Sequence, residues 1–117
     1  AKEIIKTKPQ QLSQEEMFLV AQTYEPGSKE FNDVMEIAVR MFPENETANL
    51  NAANTRLNAG DADGAKFYLD KAGNSPEALN ARGVYESLKG NDQQARHYFA
   101  LAAKAGVKAA QENLENL

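Results

Sequence analysis

Apolar residues recur along this chain at the three- and four-residue spacing of an α-helix. Phe31, Val34 and Ala38 show the pattern, and no segment alternates apolar and polar residues for long. This spacing puts apolar side chains on one face of a helix, whereas a strand needs strict alternation. Ala, Leu, Glu, Gln, Lys and Arg, which favour helices, dominate over Val, Ile and Thr. The pattern therefore predicts an all-α protein.

Local start and stop signals divide this pattern into seven helices. Ser13 and Glu16 have the spacing of a capping box, and Asn91 with Gln94 predicts a second one. Because glycines and prolines separate the segments and every connection is short, neighbouring helices are expected to run antiparallel. The predicted helices cover about residues 13–24, 28–42, 46–58, 61–72, 75–89, 91–105 and 107–117.

The second half of the chain contains an internal repeat. Residues 57–65 align with residues 87–95 at a shift of 30, and Gly60 and Gly90 take the same place in the two segments. Each segment reads as the end of one helix, a short turn and the start of the next helix. The alignment therefore predicts two helix-turn-helix units with the same turn.

Two prolines give an earlier and longer period. Pro9 and Pro43 lie 34 residues apart, four residues more than the later shift. Four residues are about one helical turn. We place the missing turn between Ala72 and Ala78, where residues 73–76 replace a longer helix end. Periods of this length are typical of proteins that stack pairs of helices.

The repeated residues resemble the tetratricopeptide repeat family. That family has a Gly–Asp/Asn turn, an Ala early in the second helix, a large apolar residue four positions later and another Ala three positions after that. Gly83 stands at the small position of the family's first helix, and Ala53 takes this place one unit earlier. Matching residues are Gly60, Ala65, Leu69 and Ala72, then Gly90, Ala95, Phe99 and Ala102, and, in the first unit, Phe31, Met35, Ala38 and Pro43.

One position departs from the family. Its first helix begins with an aromatic residue, where this chain has Glu15, Asn49 and Leu79. The resemblance otherwise implies that small residues allow two helices to approach and large residues fill the space between them.

The resemblance implies one domain over residues 1–117, made of about three antiparallel two-helix units in a superhelix. The units would cover residues 12–43, 44–74 and 75–105. Residues 1–11 would be the tail of a preceding unit or a linker, so we expect the chain to be part of a longer protein. Residues 106–117 would form a helix that caps the apolar end of the stack.

A narrower resemblance concerns three segments of the first half. Residues 3–9, 20–28 and 48–54 are similar to the C-terminal region of outer-membrane-protein-A-like proteins of Bacteroides and relatives. In those proteins, helical repeats follow a peptidoglycan-associated-type domain. This resemblance implies a periplasm-facing, outer-membrane-associated location in the cell envelope; a cytoplasmic location is the alternative without it.

Composition narrows the classes of function. The net charge is −4 and the basic residues are scattered, which argues against nucleic acid as a partner because phosphate binding needs clustered Lys and Arg. The chain has no cysteine, so disulfides and thiolate metal sites are excluded. No apolar run reaches the roughly 18 residues of a transmembrane helix.

Nothing in the sequence indicates catalysis. His97 is the only histidine and has no partner at metal-ligand spacing. Asp61 and Asp63 have a weak likeness to a calcium loop, but the later bidentate Glu is missing. Phosphate-binding and nucleophile motifs are also absent. We therefore expect no enzyme activity, no metal and no cofactor.

A partner is expected on the first helix of each unit, which lines the concave face of such a stack. Helical spacing aligns Asn51, Asn54 and Asn58, although Asn is less favourable than Ala within a helix by several tenths of a kcal/mol. The asparagines could hold an extended peptide backbone, since the amide both donates and accepts. The expected binding residues are Met17, Val20, Tyr24, Thr47, Asn51, Asn54, Asn58, Glu77, Ala81, Val84 and Leu88.

Two functions remain open at this point. The first is a protein-protein interaction module of an envelope protein, with a peptide or protein in the groove. The second is a structural spacer or a weak homo-oligomer without a ligand of its own, in which Leu114 and Leu117 could form the contact between copies.

Overall fold

The computed structural model describes residues 13–117 and shows an all-helical fold without strands in this part of the chain. The predicted tail over residues 1–11 lies outside the described residues. Most predicted bounds agree with the observed ones to within a few residues. The helices are α1 (Gln14–Ala21), α2 (Lys29–Met41), α3 (Glu46–Asn58), α4 (Ala62–Leu69), α5 (Pro76–Leu88), α6 (Asp92–Lys104) and α7 (Lys108–Glu115).

The predicted capping box at the start of α1 is confirmed. The backbone N–H of Ser13 donates to Glu16 Oε1 at 3.0 Å, and the backbone N–H of Glu16 donates to Ser13 Oγ at 3.2 Å. The bond from the Ser13 backbone N–H is the larger cause of a lowered pKa at the Glu16 carboxyl, and the Ser13 side chain is a second cause. The charged form of Glu16 is therefore favoured when α1 is folded.

The second predicted capping box, at Asn91 and Gln94, is wrong. Asn91 makes no side-chain cap hydrogen bond at the start of α6. Its side chain turns back, and Nδ2 donates to Glu86 Oε2 on α5 at 2.9 Å. A carboxylate accepts a stronger hydrogen bond than a neutral group, so Glu86 competes well for this amide.

The turns of the internal repeat have the same backbone geometry. Gly60 and Gly90 have φ values of 77° and 82°, a region that suits glycine. In each turn the following N–H, of Asp61 and Asn91, donates at 2.8 Å to a carbonyl five residues earlier. Such closure is typical of a helix that ends in a left-handed glycine. The aligned segments therefore fold alike.

The helix α4, which precedes residues 73–76, is short. This helix has 8 residues, whereas α2 and α6 have 13 each. After α4 the chain bends through Gly73, at φ 79°, and Ser75 then caps α5 by accepting from Ala78 N–H at 3.2 Å. After this bend, α5 packs against both α3 and α4.

The core is built mainly from alanine and a few larger side chains. Each helix packs against the next, and α5 also packs against α3 and α7. One cluster joins α1, α2 and α3 around Met17 and Met35. A second joins α3, α4 and α5 around Leu57 and Leu69. The predicted apolar faces of these helices, including Val34, Ala38, Ala65 and Ala72, are buried.

Glycine in α5 permits a close contact with α6. A Cβ atom added at Gly83 would overlap the ring of Phe99, which is itself 2% exposed. The aligned residues of the preceding unit are Ala53 and Leu69, which lie in one core cluster. The larger side chain, Phe99, thus faces the smaller residue, Gly83. The helix pairs α5–α6 and α3–α4 therefore both pack closely, although their contact residues differ.

Asn49 is buried near the start of α3 and contacts the loop before it. Its side chain is 1% exposed, and Nδ2 donates to the carbonyls of Pro43 and Asn45 at 2.9 and 2.8 Å. Asn45 also caps α3 by accepting from Ala48 N–H at 3.0 Å. Asn49 therefore holds the loop before α3 by hydrogen bonds.

The last helix lies on the α5–α6 pair. Ala110 is buried, Val107 and Leu114 are half-buried, and Asn113 Nδ2 donates to Asn80 Oδ1 of α5 at 3.2 Å. The side of α7 that faces solvent carries Lys108 and several other polar residues. A helix with this division of residues is suited to cover the end of an apolar stack.

Replacing the small residue of the α5–α6 contact should be destabilising. We expect Gly83→Ala to lower the free energy of unfolding by about 1–2 kcal/mol, because overpacking at Phe99 outweighs the roughly 1 kcal/mol gain in helix propensity. Chemical denaturation of the variant and the original chain measures the difference.

The matched control uses the residues of the preceding unit. Gly83→Ala combined with Phe99→Leu reproduces the Ala53–Leu69 pair, so it should recover part of the loss. A double variant that is no more stable than Gly83→Ala alone would contradict the small-against-large explanation.

The capping box predicts a pH dependence at α1. The folded pKa of Glu16 is lowered, so its contribution is present above the unfolded pKa and is lost as pH falls through the folded pKa. NMR titration of the Glu16 carboxyl should give a midpoint below the usual value for Glu. Ser13→Ala removes the contribution of the Ser13 hydroxyl and should raise that midpoint; an unchanged midpoint would contradict this cause.

Candidate partner-binding surface

The predicted residues of α3 lie mostly at the surface. Thr47, Asn54 and Asn58 are exposed, and Asn51 is half-buried. Asn51 Nδ2 donates to Asn32 Oδ1 of α2 over a long 3.4 Å, so this residue contributes to the contact between two helices. The side-chain amides of Asn54 and Asn58 have no hydrogen-bond partner in residues 13–117. These two asparagines are the accessible part of the predicted row.

Three of the predicted binding residues are instead part of the core. Met17 is 0% exposed, Val20 6% and Ala81 1%. In α1 the predicted stripe coincides with the apolar face of the helix, which packs on α2 and α3. Ala81 packs in the cluster of α3, α4 and α5. A partner on the surface of this fold cannot contact them, and that part of the prediction is corrected.

The remaining predicted residues lie on α5 and just after α1. Glu77 is exposed, Val84 is half-buried and Leu88 is 46% exposed. Tyr24 follows α1 and is half-buried against the first core cluster. The sequence therefore predicted accessible residues on α3 and α5 better than on α1.

Asn54, Asn58, Val84 and Leu88 together form what we call the α3–α5 surface. Val84 packs against the core cluster that joins α3, α4 and α5, and α3 and α5 pack on each other. At the repeat shift of 30, Asn54 aligns with Val84 and Asn58 with Leu88. Equivalent positions are thus polar on α3 and apolar on α5, and none of the four residues is charged.

An ion pair fixes the orientation of α3 behind this surface. The guanidinium of Arg56 binds the carboxylate of Glu36 on α2, with Nη2 at 3.3 Å from Oε2. The same guanidinium lies 4.5 Å from the ring centroid of Tyr68 on α4 and also donates to the Ala52 carbonyl. One side chain thereby links three helices.

The Arg56 pair is sheltered enough to matter. The two side chains are 27% and 25% exposed, unlike the open pair of Lys66 with Asp70. The hydrogen bond to Glu36 is the largest cause of a raised pKa at Arg56. Arg stays charged across any practical pH, so the stacking of Arg56 on Tyr68 persists.

A small cleft adjoins the apolar end of the α3–α5 surface. Its volume is about 180 Å³, and α5, α6 and α7 all contribute to its walls. Val84, Leu88, Phe99 and Leu117 form the apolar part, and Asn113 and Asn116 are among the polar lining residues. Sequence reasoning assigned Leu117 to capping or dimer contact and did not predict this cleft. The available signal was that Val84 and Leu88 replace asparagines of the preceding unit.

The described residues show no arrangement for metal chemistry. No three His, Cys, Asp or Glu side chains within 13–117 are grouped to hold a metal ion. The side chain of Asp61 caps α4 by accepting from Gly64 N–H at 2.9 Å. His97 is exposed and packs edge-on to Tyr98 with ring centroids 5.7 Å apart. Each of these residues thus has a local structural explanation.

A search of helix length and hydropathy over residues 13–117 finds no helix able to cross a membrane. Comparison with protein-family models found no match, and neither curated proteins nor solved structures gave one.

Loss of the bidentate contact between Arg56 and Glu36 should weaken the link between α2, α3 and α4. Arg56→Lys keeps the charge but loses the bidentate contact and the stacking on Tyr68. We expect a decrease of about 1–2 kcal/mol in the free energy of unfolding, measured by urea denaturation. Lys66→Ala, at the exposed pair, should have little effect. Equal losses in the two variants would contradict a special role for Arg56.

Proposed function

We propose that this chain is a tetratricopeptide-like helical-repeat domain that binds a peptide or protein partner on the α3–α5 surface. The observation that carries the proposal is the row of two unpaired amides, Asn54 and Asn58, beside the apolar Val84 and Leu88. Amides can pair with a peptide backbone, and apolar side chains can bury a partner's side chain.

The low helix propensity of Asn54 and Asn58 supports a role for these residues other than stabilising the fold. Each is less favourable than Ala in a helix by several tenths of a kcal/mol. Neither amide is used by another residue in the described part of the chain. Asn51 differs, because it contacts Asn32 and therefore has a structural use. The two outward asparagines are the better candidates for contact with a partner.

The setting proposed for this module is the envelope of a bacterial cell, with the domain facing the periplasm. This rests on the likeness of residues 3–9, 20–28 and 48–54 to outer-membrane-protein-A-like proteins. The repeat units are proposed to stack as antiparallel pairs, with α3 and α5 as the first helices of successive units. Two observations support this arrangement: the matching turns at Gly60 and Gly90, and the packing of α3 on α5.

Self-association is the second candidate. Leu101 and Leu117, on or just after the last two helices, are 42% and 38% exposed. Contact between copies could cover them, which would fit a spacer without a separate partner. Sedimentation over a wide concentration range decides this: a chain that stays monomeric throughout contradicts the second candidate.

Replacing the outward asparagines separates binding from stability. Asn54→Ala with Asn58→Ala should raise the free energy of unfolding by roughly 0.5–1 kcal/mol, since Ala is the better helix former. The same variant should lose crosslinks to partners captured by the unchanged chain in intact cells. Gain of stability with loss of binding is the expected combination.

The control places the same kind of change on another helix. Gln93→Ala with Gln94→Ala removes two exposed amides of α6 and should leave the crosslinks unchanged. If the Asn54/Asn58 variant captures the same partners in the same yield as the original chain, the proposed surface is wrong.

A further inference from the structure

The cleft beside Leu88 has the size and chemistry of a pocket for one side chain. Its volume of about 180 Å³ is close to that of an engineered apolar cavity of about 150 Å³ that takes up benzene. It is smaller than the roughly 300–1,000 Å³ of pockets for drug-sized ligands. A leucine or phenylalanine side chain matches this space.

The lining of the cleft contains no charged side chain. Val84, Leu88, Phe99 and Leu117 supply apolar walls, and every other lining residue is Ser or Asn. A charged group placed here would lose water without meeting a counter-charge, which is unfavourable. An apolar side chain loses nothing comparable and gains from leaving water.

The amides of α7 suit the main chain next to such a side chain. Asn116 lines the cleft and its side-chain amide makes no hydrogen bond within residues 13–117. Asn113 uses Nδ2 for Asn80, which leaves its carbonyl oxygen as an acceptor. A donor and an acceptor at the edge of an apolar pocket fit the peptide groups that flank one inserted residue.

The small size of the cleft argues against a second copy of the chain as the occupant. The cleft has seven lining residues, whereas a stable protein-protein interface involves roughly 20–30 residues on each side. The cleft alone is therefore too small to hold two folded copies together. A short extended segment with one protruding side chain needs only this much space.

We propose that the cleft binds a single leucine- or phenylalanine-sized side chain of an extended peptide, whose flanking main chain pairs with Asn113 and Asn116. The proposal rests on the proposed function, because it names the anchor residue of the partner on the α3–α5 surface. Val84 and Leu88 belong to both the cleft and the α3–α5 surface. The peptide would therefore continue from the cleft toward Asn54 and Asn58.

Peptide titration followed by NMR tests the proposal. The probe is acetyl-Gly-Ser-Leu-Ser-Gly-amide, and its analogue with Ala in place of Leu is the reference. The Leu peptide should shift the methyl signals of Val84, Leu88 and Leu117 and bind about tenfold or more tighter than the Ala peptide, given the larger apolar area buried. Equal shifts from both peptides, or shifts confined to other helices, would overturn the proposal.

A matched variant gives α5 the residues of α3. Val84→Asn with Leu88→Asn installs the amino acids that the preceding unit has at the aligned positions, and it should abolish the Leu preference. Leu101→Asn removes a similarly exposed leucine outside the cleft and should leave the preference intact. Thermal unfolding checks that all variants are folded. If the Val84/Leu88 variant is unfolded, Asn116→Ala replaces it and should weaken binding of the Leu peptide.

Three further outcomes separate the proposals. If the cleft signals shift with protein concentration in the absence of peptide, a second copy is the occupant and the peptide anchor is wrong. If the Asn54/Asn58 variant loses its cellular partners while the Leu preference is absent, the α3–α5 surface stands and only the anchor fails. If the Leu preference is present while that variant keeps its partners, the anchor stands and the broader surface fails.

Discussion

Close approach of paired helices is the constraint on which this structure depends. Most buried side chains are alanines, and they can be fully buried only if the helix axes lie near one another. Gly83 opposite Phe99 and the smaller Ala53–Leu69 pair provide that closeness in the helix pairs α5–α6 and α3–α4. A larger residue at either small position would separate the helices and leave the alanine core with voids.

The same packing decides which residues reach solvent. Val84 packs against the core cluster shared by α3, α4 and α5, whereas Asn54 and Leu88 are exposed. The link from Arg56 to Glu36 and Tyr68 holds α3 from its other side. A surface that combines amides with apolar side chains is thus supported by rigid helices rather than by loops, which favours a defined binding geometry.

Sequence reasoning predicted the helices well because their signals are local. The cap at Ser13 and the glycines at residues 60 and 90 act within one turn of chain, and the structure has them as expected. It failed at Asn91, whose side chain prefers Glu86 to the cap. Among the binding residues it failed at Met17 and Ala81, because helical spacing fixes a face but does not say what that face packs against.

The sequence by itself determined the all-α class, the helix bounds and the repeated turn, since these follow from periodicity and from glycine and proline. Only the tertiary structure decided which faces are buried, how α4 and α5 meet, and that Val84, Leu88 and Leu117 border one cleft. The physical reason is distance along the chain. Contacts between residues about 30 positions apart depend on side-chain volumes across helices, and a pattern read along one helix does not contain them.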